Sequence, residues 1–209
     1  MSMDFRDFAS KWSLEHGGAS TTGLVGIWLK VSHRIARVVS SARISPNAVT
    51  YIGVTLAAAT AFYSPRWWIV LLFLLSLLCD GVDGSIAIVQ NKVTSFGATL
   101  DSVAGRISEA LWAVAFYRLG APLTWVVLLW LVAALQEYAR ARLGSGGIHR
   151  IGVVTPAERP VRAFIFFISI LMAQFDSTVN WLNEIAIAMT LLQVFSFGLV
   201  SRFARKNLK

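Results

Sequence analysis

The spacing of apolar side chains predicts that the chain begins with two amphipathic helices. Residues 3–16 place four apolar side chains at the i, i+3, i+4, i+7 spacing of one helix face: Phe5, Phe8, Ala9 and Trp12. Residues 21–40 repeat the pattern, with most of their cations on the opposite face. Helices of this kind lie in the membrane interface. Residues 1–45 are therefore predicted to form an interfacial amphipathic region, with docking on a partner domain as the alternative.

Six longer apolar segments follow, and each approaches the roughly 20 residues that a bilayer crossing requires. They cover residues 47–64, 66–90, 94–117, 122–143, 160–176 and 179–201. Pro46 directly after Ser45 is a helix-start pattern, so the first segment should begin there. The predicted fold is an all-α integral membrane protein. Its six transmembrane helices occupy residues 46–203, and a basic cytoplasmic tail covers residues 204–209.

The overall composition agrees with a membrane protein. Of the 209 residues, 56% are hydrophobic and only 14% are charged, whereas soluble domains contain about 25% charged residues. This composition excludes a disordered chain and argues against a soluble enzyme. The single cysteine excludes an internal disulfide.

The positions of the cations predict the orientation in the membrane. The net charge is +8, and all but three of the 19 Lys and Arg residues fall on one side of the predicted spans or in the terminal segments of that side. The positive-inside rule therefore places both termini in the cytoplasm, and the N-terminal residues carry no signal-peptide pattern. Cations collected between apolar spans favour membrane lipids and phosphates, and not nucleic acid, as partners.

Three carboxylates are predicted to converge near the cytoplasmic side. Asp80 and Asp83 share one helix face at the end of the second segment. After a short loop at Asn91 and Lys92, the third segment runs back antiparallel and presents Asp101 opposite them. A carboxylate at the centre of a span costs about 2.5–3.5 kcal/mol. The cluster therefore predicts a hard divalent cation, Mg²⁺ or Mn²⁺, with oxygen ligands.

The residues around these carboxylates match a known pattern. Residues 80–101 read Asp80-x-x-Asp83-Gly84-x-x-Ala87, followed by Gly97-x-x-x-Asp101. This resembles the signature of the CDP-alcohol phosphotransferases, D-x2-D-G-x2-A-R-x8-G-x3-D-x3-D, including the gap between its two halves. The six predicted spans, the interfacial N-terminal helix and Ser45-Pro46-Asn47 extend the likeness over nearly the whole chain.

The resemblance implies a homodimer of six-helix protomers in the plasma membrane, with an active site open to the cytosol. Such an enzyme transfers a phosphatidyl group from CDP-diacylglycerol to a polar alcohol and releases CMP. By this likeness Asp80, Asp83 and Asp101 bind the metal, and Asp101 also belongs to the catalytic positions. The positions implied to hold the cytidine diphosphate are Asp80, Gly84, Ala87, Ile88 and Gly97.

Two positions depart from the signature. Ile88 stands where the family has an arginine that helps to hold the donor phosphate, a loss that a nearby cation such as Lys92 can offset. Gly105 stands where the family has its fourth aspartate, which serves as a metal ligand and as the base for the acceptor hydroxyl. Losing a general base commonly costs about 10²–10⁴-fold in rate.

Three interpretations of Gly105 remain open. The chain is an inactivated variant, natural or deliberate; an active divergent member that uses another group; or a non-catalytic relative that binds nucleotide or lipid. Glu109 lies one turn beyond Gly105 and is the candidate substitute. The alternative for Glu109 is a buried ion pair with Arg106 or with a neighbouring helix.

A cation-rich segment, residues 137–162, is the predicted acceptor side. Its Tyr-x-Arg-x-Arg, followed by Glu-Arg at the next helix start, resembles phosphatidylinositol phosphate synthases, in which the acceptor is an inositol phosphate. The predicted acceptor-binding residues are Arg140, Arg142, Arg159 and Arg162. The alternative is that these arginines only keep the helix ends on the cytoplasmic side, as the positive-inside rule describes. His149 is expected to be a surface residue. Serine, glycerol phosphate, inositol and inositol phosphate all remain open as acceptors.

Two functions of other classes compete with the enzyme. A cation transporter also uses carboxylates within spans, but its polar residues should lie deeper and in more of the spans. A non-enzymatic membrane binding protein would tolerate glycine at position 105. The clustering of the acidic residues at one face favours the enzyme.

Overall fold

The computed structural model describes residues 3–145, 154–175 and 181–207. Eight α-helices account for most of them, and these residues contain no strand, which confirms the all-α prediction. The helices are α1 (Phe5–Glu15), α2 (Gly23–Ser41), α3 (Pro46–Tyr63), α4 (Ile69–Val89), α5 (Ser95–Arg118), α6 (Leu123–Ser145), α7 (Arg159–Met172) and α8 (Trp181–Asn207).

The helices α3 to α8 fall on the six predicted apolar segments. Three of them, α4, α6 and α8, are long and apolar enough to cross a membrane. The six-span count and the interfacial position of α1 and α2 stay predictions. The α8 helix runs to Asn207, so the part of the predicted tail that the structure describes continues this helix.

The helix boundaries follow local chemistry. The Asp4 side chain accepts a hydrogen bond from the Phe5 backbone N–H (2.7 Å) at the start of α1. The Ser45 hydroxyl accepts one from the Ala48 N–H (3.2 Å) at the start of α3, because the first helical N–H groups have no partner within the helix. Between α4 and α5, Asn91 adopts a positive φ of 50°, a conformation that asparagine tolerates better than most residues.

The chain divides into two compact units. The first consists of Met1–Ala57 and Leu74–Ser108, and the second of Ala58–Phe73 and Glu109–Lys209. The motif carboxylates belong to the first unit, and the predicted acceptor arginines belong to the second.

Two apolar clusters hold the first unit together. One joins α2, α3 and α4 through Ala36, Val49 and Ile86. The other joins α1, α2 and α4 through Phe8, Leu29 and Ile88. The N-terminal helices are thus packed onto α4 by buried side chains, each fully buried large side chain contributing about 1.5–3 kcal/mol.

The second unit combines an aromatic cluster with buried amides. Phe73 packs edge-on against Trp112 and Phe166, with ring centroids 5.1 Å away in both cases. The helices α6 and α8 are joined by a hydrogen bond of 2.9 Å from the Gln193 amide to the Gln136 carbonyl oxygen. Both amides are fully buried, so this bond satisfies groups whose isolation would cost about 1–3 kcal/mol.

Gly26 lies in close contact with the backbone that precedes α2, and a substitution there tests this packing. A Cβ added there would lie 2.5 Å from the backbone oxygen of Thr21. We expect Gly26→Ala to destabilise the protein by about 1–3 kcal/mol, as overpacking does, in thermal unfolding of the detergent-solubilised protein. Gly198→Ala is the matched control, because nothing lies within 4 Å of its added Cβ. Equal stability of the two variants would contradict this packing.

Candidate active site

A cavity in the first unit gathers the motif residues. Its volume is about 330 Å³. Seven of the residues predicted from the motif line it: Asp80, Asp83, Gly84, Ala87, Ile88, Gly97 and Asp101. The structure therefore brings α4 and α5 together at one site, as predicted. We call this space the carboxylate cavity.

The three aspartates differ in exposure. Asp83 is 4% exposed, Asp80 is half-buried and Asp101 is exposed. One oxygen of Asp83 accepts a hydrogen bond from the Thr50 hydroxyl (2.6 Å) and the other from the Gly84 N–H (2.7 Å). These bonds satisfy the buried carboxylate and fix its orientation towards α3.

The donor chemistry of the carboxylate cavity fits a hard divalent cation. Three carboxylates line one space, and each ionised carboxylate has about four lone-pair sites, so the Asp83 oxygens retain capacity beyond their two hydrogen bonds. No three His, Cys, Asp or Glu side chains in the described part of the chain stand close enough together to hold a metal. The three carboxylates thus line one cavity but do not lie as close to one another as the ligands of a bound metal do.

The motif glycines leave room beside the carboxylates. A Cβ added at Gly84 would meet nothing within 4 Å. At Gly97 it would lie 3.1 Å from the Thr94 hydroxyl and 3.6 Å from the Asn47 side-chain oxygen. Gly84 therefore borders open cavity, whereas Gly97 permits a close approach of α5 to neighbouring polar groups.

The two departures from the motif have different surroundings. Ile88 is 4% exposed and packs with Phe8 and Leu29, so an apolar contact occupies the position of the motif arginine. Lys92 also lines the carboxylate cavity, as expected for a cation that offsets that loss. Gly105 is buried in α5 and is not among the residues that line the cavity.

Glu109 forms the buried ion pair that the sequence left as an alternative. One of its oxygens lies 2.6 Å from an Arg162 nitrogen and 3.5 Å from the Arg159 Nε. Glu109 and Arg162 are both buried, at 7% and 8% exposure. Both of these arginines lie on the neighbouring helix α7. This carboxylate is engaged in holding the second unit together.

Several residues that line the carboxylate cavity were not predicted. Asn47 and Thr50 come from α3, and Trp12, Glu15 and His16 come from the end of α1. The His16 Nδ1 is 2.8 Å from the Trp12 carbonyl oxygen, and the two rings stack at 4.0 Å. Of these residues, only Asn47 belongs to a local sequence pattern, Ser45-Pro46-Asn47. The others reach the cavity through the packing of α1 and α3 on α4, which local spacing does not indicate.

The predicted acceptor arginines form two groups. Arg140 makes hydrogen bonds of 2.5 and 2.7 Å to the two oxygens of Glu158, whereas Arg159 and Arg162 meet at Glu109. Arg162 also donates to the Ala157 carbonyl oxygen and to Gln193. Arg142 is exposed near the end of α6. His149 and Arg150 lie outside the described residues.

The environment of Glu158 fixes its charge. Burial would raise the pKa of this carboxyl, but hydrogen bonds from Arg140 and Thr155 outweigh it and lower the pKa to about 2. Glu158 is therefore ionised at neutral pH and locks the guanidinium of Arg140 in place, between the end of α6 and the start of α7.

Comparison with protein families decides the assignment. The model of the CDP-alcohol phosphatidyltransferase family matches residues 43–196. The chain belongs to this family. Its members are transferases of phospholipid biosynthesis, and the chain is accordingly an integral membrane protein.

Curated relatives of this CDP-alcohol phosphatidyltransferase are named for inositol phosphate chemistry. An archaetidylinositol phosphate synthase from Pyrococcus horikoshii is 34% identical over 145 residues, which are 65% of this chain and 74% of that protein. A phosphatidylinositol phosphate synthase from Mycobacterium marinum is 31% identical over 181 residues, which are 80% of this chain and 75% of that protein. The predicted resemblance to this family is confirmed.

Solved structures share the fold. A phosphatidylinositol phosphate synthase from Mycobacterium tuberculosis with CDP-DAG bound has a TM-score of 0.65 and 23% identity, covering 84% of this chain and 92% of that chain. The same enzyme in complex with manganese and citrate has a TM-score of 0.64 and 22% identity, covering 83% and 87%.

The Glu109–Arg162 pair gives a stability prediction for this family member. Arg162→Met should destabilise it by about 3–5 kcal/mol, because it leaves a carboxylate buried without its main partner. Adding Glu109→Gln should recover most of the loss. Arg142→Met is the control, since an exposed arginine should cost less than about 1 kcal/mol. Thermal unfolding that showed additive losses in the double variant would contradict the pairing.

Glu158 gives a prediction about pH. Because its pKa is lowered from the ordinary 4.5 to about 2, its contribution to stability is complete above pH 4.5 and is lost as the pH falls towards 2. Thermal unfolding should find Glu158→Gln less stable than the parent at pH 6, with the gap closing at acid pH. Glu137→Gln serves as the control, since Glu137 lies 3.5 Å from the same arginine. A gap that is constant with pH would refute the assignment.

Proposed function

We propose that the chain transfers a phosphatidyl group from CDP-diacylglycerol to a polar, phosphorylated alcohol and releases CMP, with turnover impaired by Gly105. The observation that carries this proposal is the single cavity lined by Asp80, Asp83 and Asp101 together with Gly84 and the other motif residues. The acceptor is proposed to be of the inositol phosphate or glycerol phosphate class.

The donor assignment rests on the open side of the carboxylate cavity. The space beside Gly84 lets a diphosphate approach the α4 backbone, and Ala87 and Gly97 present little bulk to it. A similar fold in Mycobacterium tuberculosis has CDP-DAG bound. Lys92 supplies a positive charge next to the place where the diphosphate would lie.

Asp80, Asp83 and Asp101 are the residues proposed to hold Mg²⁺ or Mn²⁺, which when bound neutralises the diphosphate and stabilises the departing phosphate. Manganese is present in one structure of similar fold. Thr50 and the Gly84 N–H hold the Asp83 carboxylate in one orientation before any ligand enters. Asp101 is exposed and lines the α5 side of the cavity.

The reaction requires one proton acceptor. The acceptor hydroxyl oxygen forms a bond to the phosphorus that carries diacylglycerol, the bond from that phosphorus to the CMP oxygen breaks, and CMP takes the electron pair. The hydroxyl proton must pass to a base. Gly105 has no side chain to receive it, and loss of a base costs about 10²–10⁴-fold in rate. Asp101 is the remaining catalytic carboxylate on α5.

The acceptor assignment rests on the arginines of α6 and α7. Arg140, Arg142, Arg159 and Arg162 are proposed to form or support the phosphate pocket for the acceptor. Because Arg140 and Arg162 are held by carboxylates, their proposed part is to position that pocket. Similarity to two kinds of inositol phosphate synthase supports the acceptor class.

The membrane arrangement is also proposed. The six helices α3 to α8 span the plasma membrane as one domain over residues 46–203, and α1 and α2 lie in the interface. Both termini and the carboxylate cavity face the cytoplasm, supported by the side on which the cations fall. The chain is proposed to act as a homodimer, as its family resemblance implies.

The alternative is a non-catalytic relative that binds nucleotide or lipid in the membrane. It is favoured by two apolar replacements at motif positions, the packed Ile88 and the buried Gly105. Glu109 gives it further support, because its ion pair with Arg162 occupies the carboxylate that the sequence offered as a substitute base. Cytidine nucleotide binding without turnover distinguishes this alternative from a slow enzyme.

Gly105→Asp tests the proposed function. We expect it to raise CMP release from CDP-diacylglycerol with Mg²⁺ and a mixed acceptor pool by about 10²–10⁴-fold, because it restores a base. Gly105→Asn is the matched control of similar size without the charge. Asp101→Asn in the Gly105→Asp background should remove the gain.

The outcomes separate the interpretations. Turnover by Gly105→Asp alone supports an impaired enzyme. Comparable turnover by the chain as written would overturn the impairment and make Glu15 and His16, which line the cavity, the first residues to replace. If neither form turns over but both bind CDP-diacylglycerol, the non-catalytic alternative holds.

A further inference from the structure

A second cavity in the first unit lies beside α2. Its volume is about 970 Å³, and four cations line it: Arg34 and Arg37 on α2, Arg43 just after α2, and Lys92 after α4. We call it the basic cavity. No Asp or Glu is among its lining residues in the part of the chain that the structure describes.

The four cations have no side-chain partner among the residues that the structure describes. None of them forms an ion pair or a side-chain hydrogen bond with another described residue. In the second unit, by contrast, Arg140 and Arg162 are matched by Glu158 and Glu109. Like charges gathered around one concave space repel one another and concentrate a positive potential there, which an anion relieves.

The side chains that line the basic cavity indicate which kind of anion it binds. Guanidinium groups bind phosphate through paired hydrogen bonds, which makes arginine suited to phosphate recognition. Exposed apolar side chains of α2 suit a lipid: Val38 lines the cavity and is 69% exposed, and Leu24, at the other end of the same helix, is 85% exposed. Lys92 lines both cavities, so a soluble phosphorylated molecule near the carboxylate cavity is the second source of the same group.

We propose that the basic cavity binds a phosphate group, carried by an anionic lipid headgroup or by a soluble phosphorylated molecule. Its lining residues do not include the predicted acceptor arginines of α6 and α7. It does not rest on the proposed transfer reaction, because binding requires only the unneutralised cations of α2 and its surroundings.

The experiment compares two double variants that remove the same charge. Arg34→Gln/Arg37→Gln changes the basic cavity, whereas Arg6→Gln/Lys30→Gln removes two exposed cations of α1 and α2 that do not line it. Full-length protein is placed in nanodiscs of phosphatidylcholine, with or without phosphatidylglycerol. Native mass spectrometry measures retained phosphatidylglycerol, and calorimetry in phosphatidylcholine discs measures the affinity for inorganic phosphate.

We expect the Arg34/Arg37 variant to lose at least about tenfold in one of these two measurements, because it removes two donors of charge-assisted hydrogen bonds. The control variant should retain the parent's value. Loss of phosphatidylglycerol retention assigns the site to a lipid headgroup, and loss of phosphate affinity assigns it to a soluble molecule. Equal behaviour of the two variants in both measurements overturns the proposal.

A second variant guards against a folding artefact. Arg43→Gln changes a cation in the turn after α2, outside the helix, and should reproduce part of the loss. Circular dichroism and thermal unfolding of each variant check that the fold is kept. If Arg43→Gln binds as the parent does while Arg34→Gln/Arg37→Gln has lost its fold, the proposal fails.

Discussion

The cost of placing charge in an apolar helical protein governs this molecule. Burying an ion in an apolar environment costs several kcal/mol, so a buried acidic side chain needs a partner or a polar space. The chain uses both solutions. Glu109 is paired with Arg162 at 2.6 Å in the second unit. Asp80 and Asp101 face a cavity of about 330 Å³ in the first unit.

These two solutions distinguish charged side chains that stabilise the fold from charged side chains that can bind a ligand. A pair such as Arg140 and Glu158 satisfies itself, so its energy goes into holding α6 to the start of α7. Charges that line a cavity can also interact with a ligand. Among its lining residues the carboxylate cavity has an excess of negative charge and the basic cavity an excess of positive charge, and Lys92 borders both.

The helix positions and the carboxylate cluster were predictable because both follow from local spacing. The spacing of apolar residues predicted the ends of α3 to α8 to within about six residues. The i, i+3 spacing of Asp80 and Asp83 predicted that both side chains would line the same cavity. Long-range pairing was not predictable. Nothing near Thr50 in the sequence indicates that its hydroxyl binds Asp83, and nothing near Glu15 indicates that α1 packs its end against the cavity. Such contacts depend on which helix faces meet.

The two departures from the motif are opposite in charge. Ile88 removes a positive charge and Gly105 removes a negative one, relative to the motif, so the net charge of the motif is unchanged. Ile88 packs against Phe8 and Leu29. The chain thus has apolar packing at position 88 and keeps the three carboxylates that line the cavity.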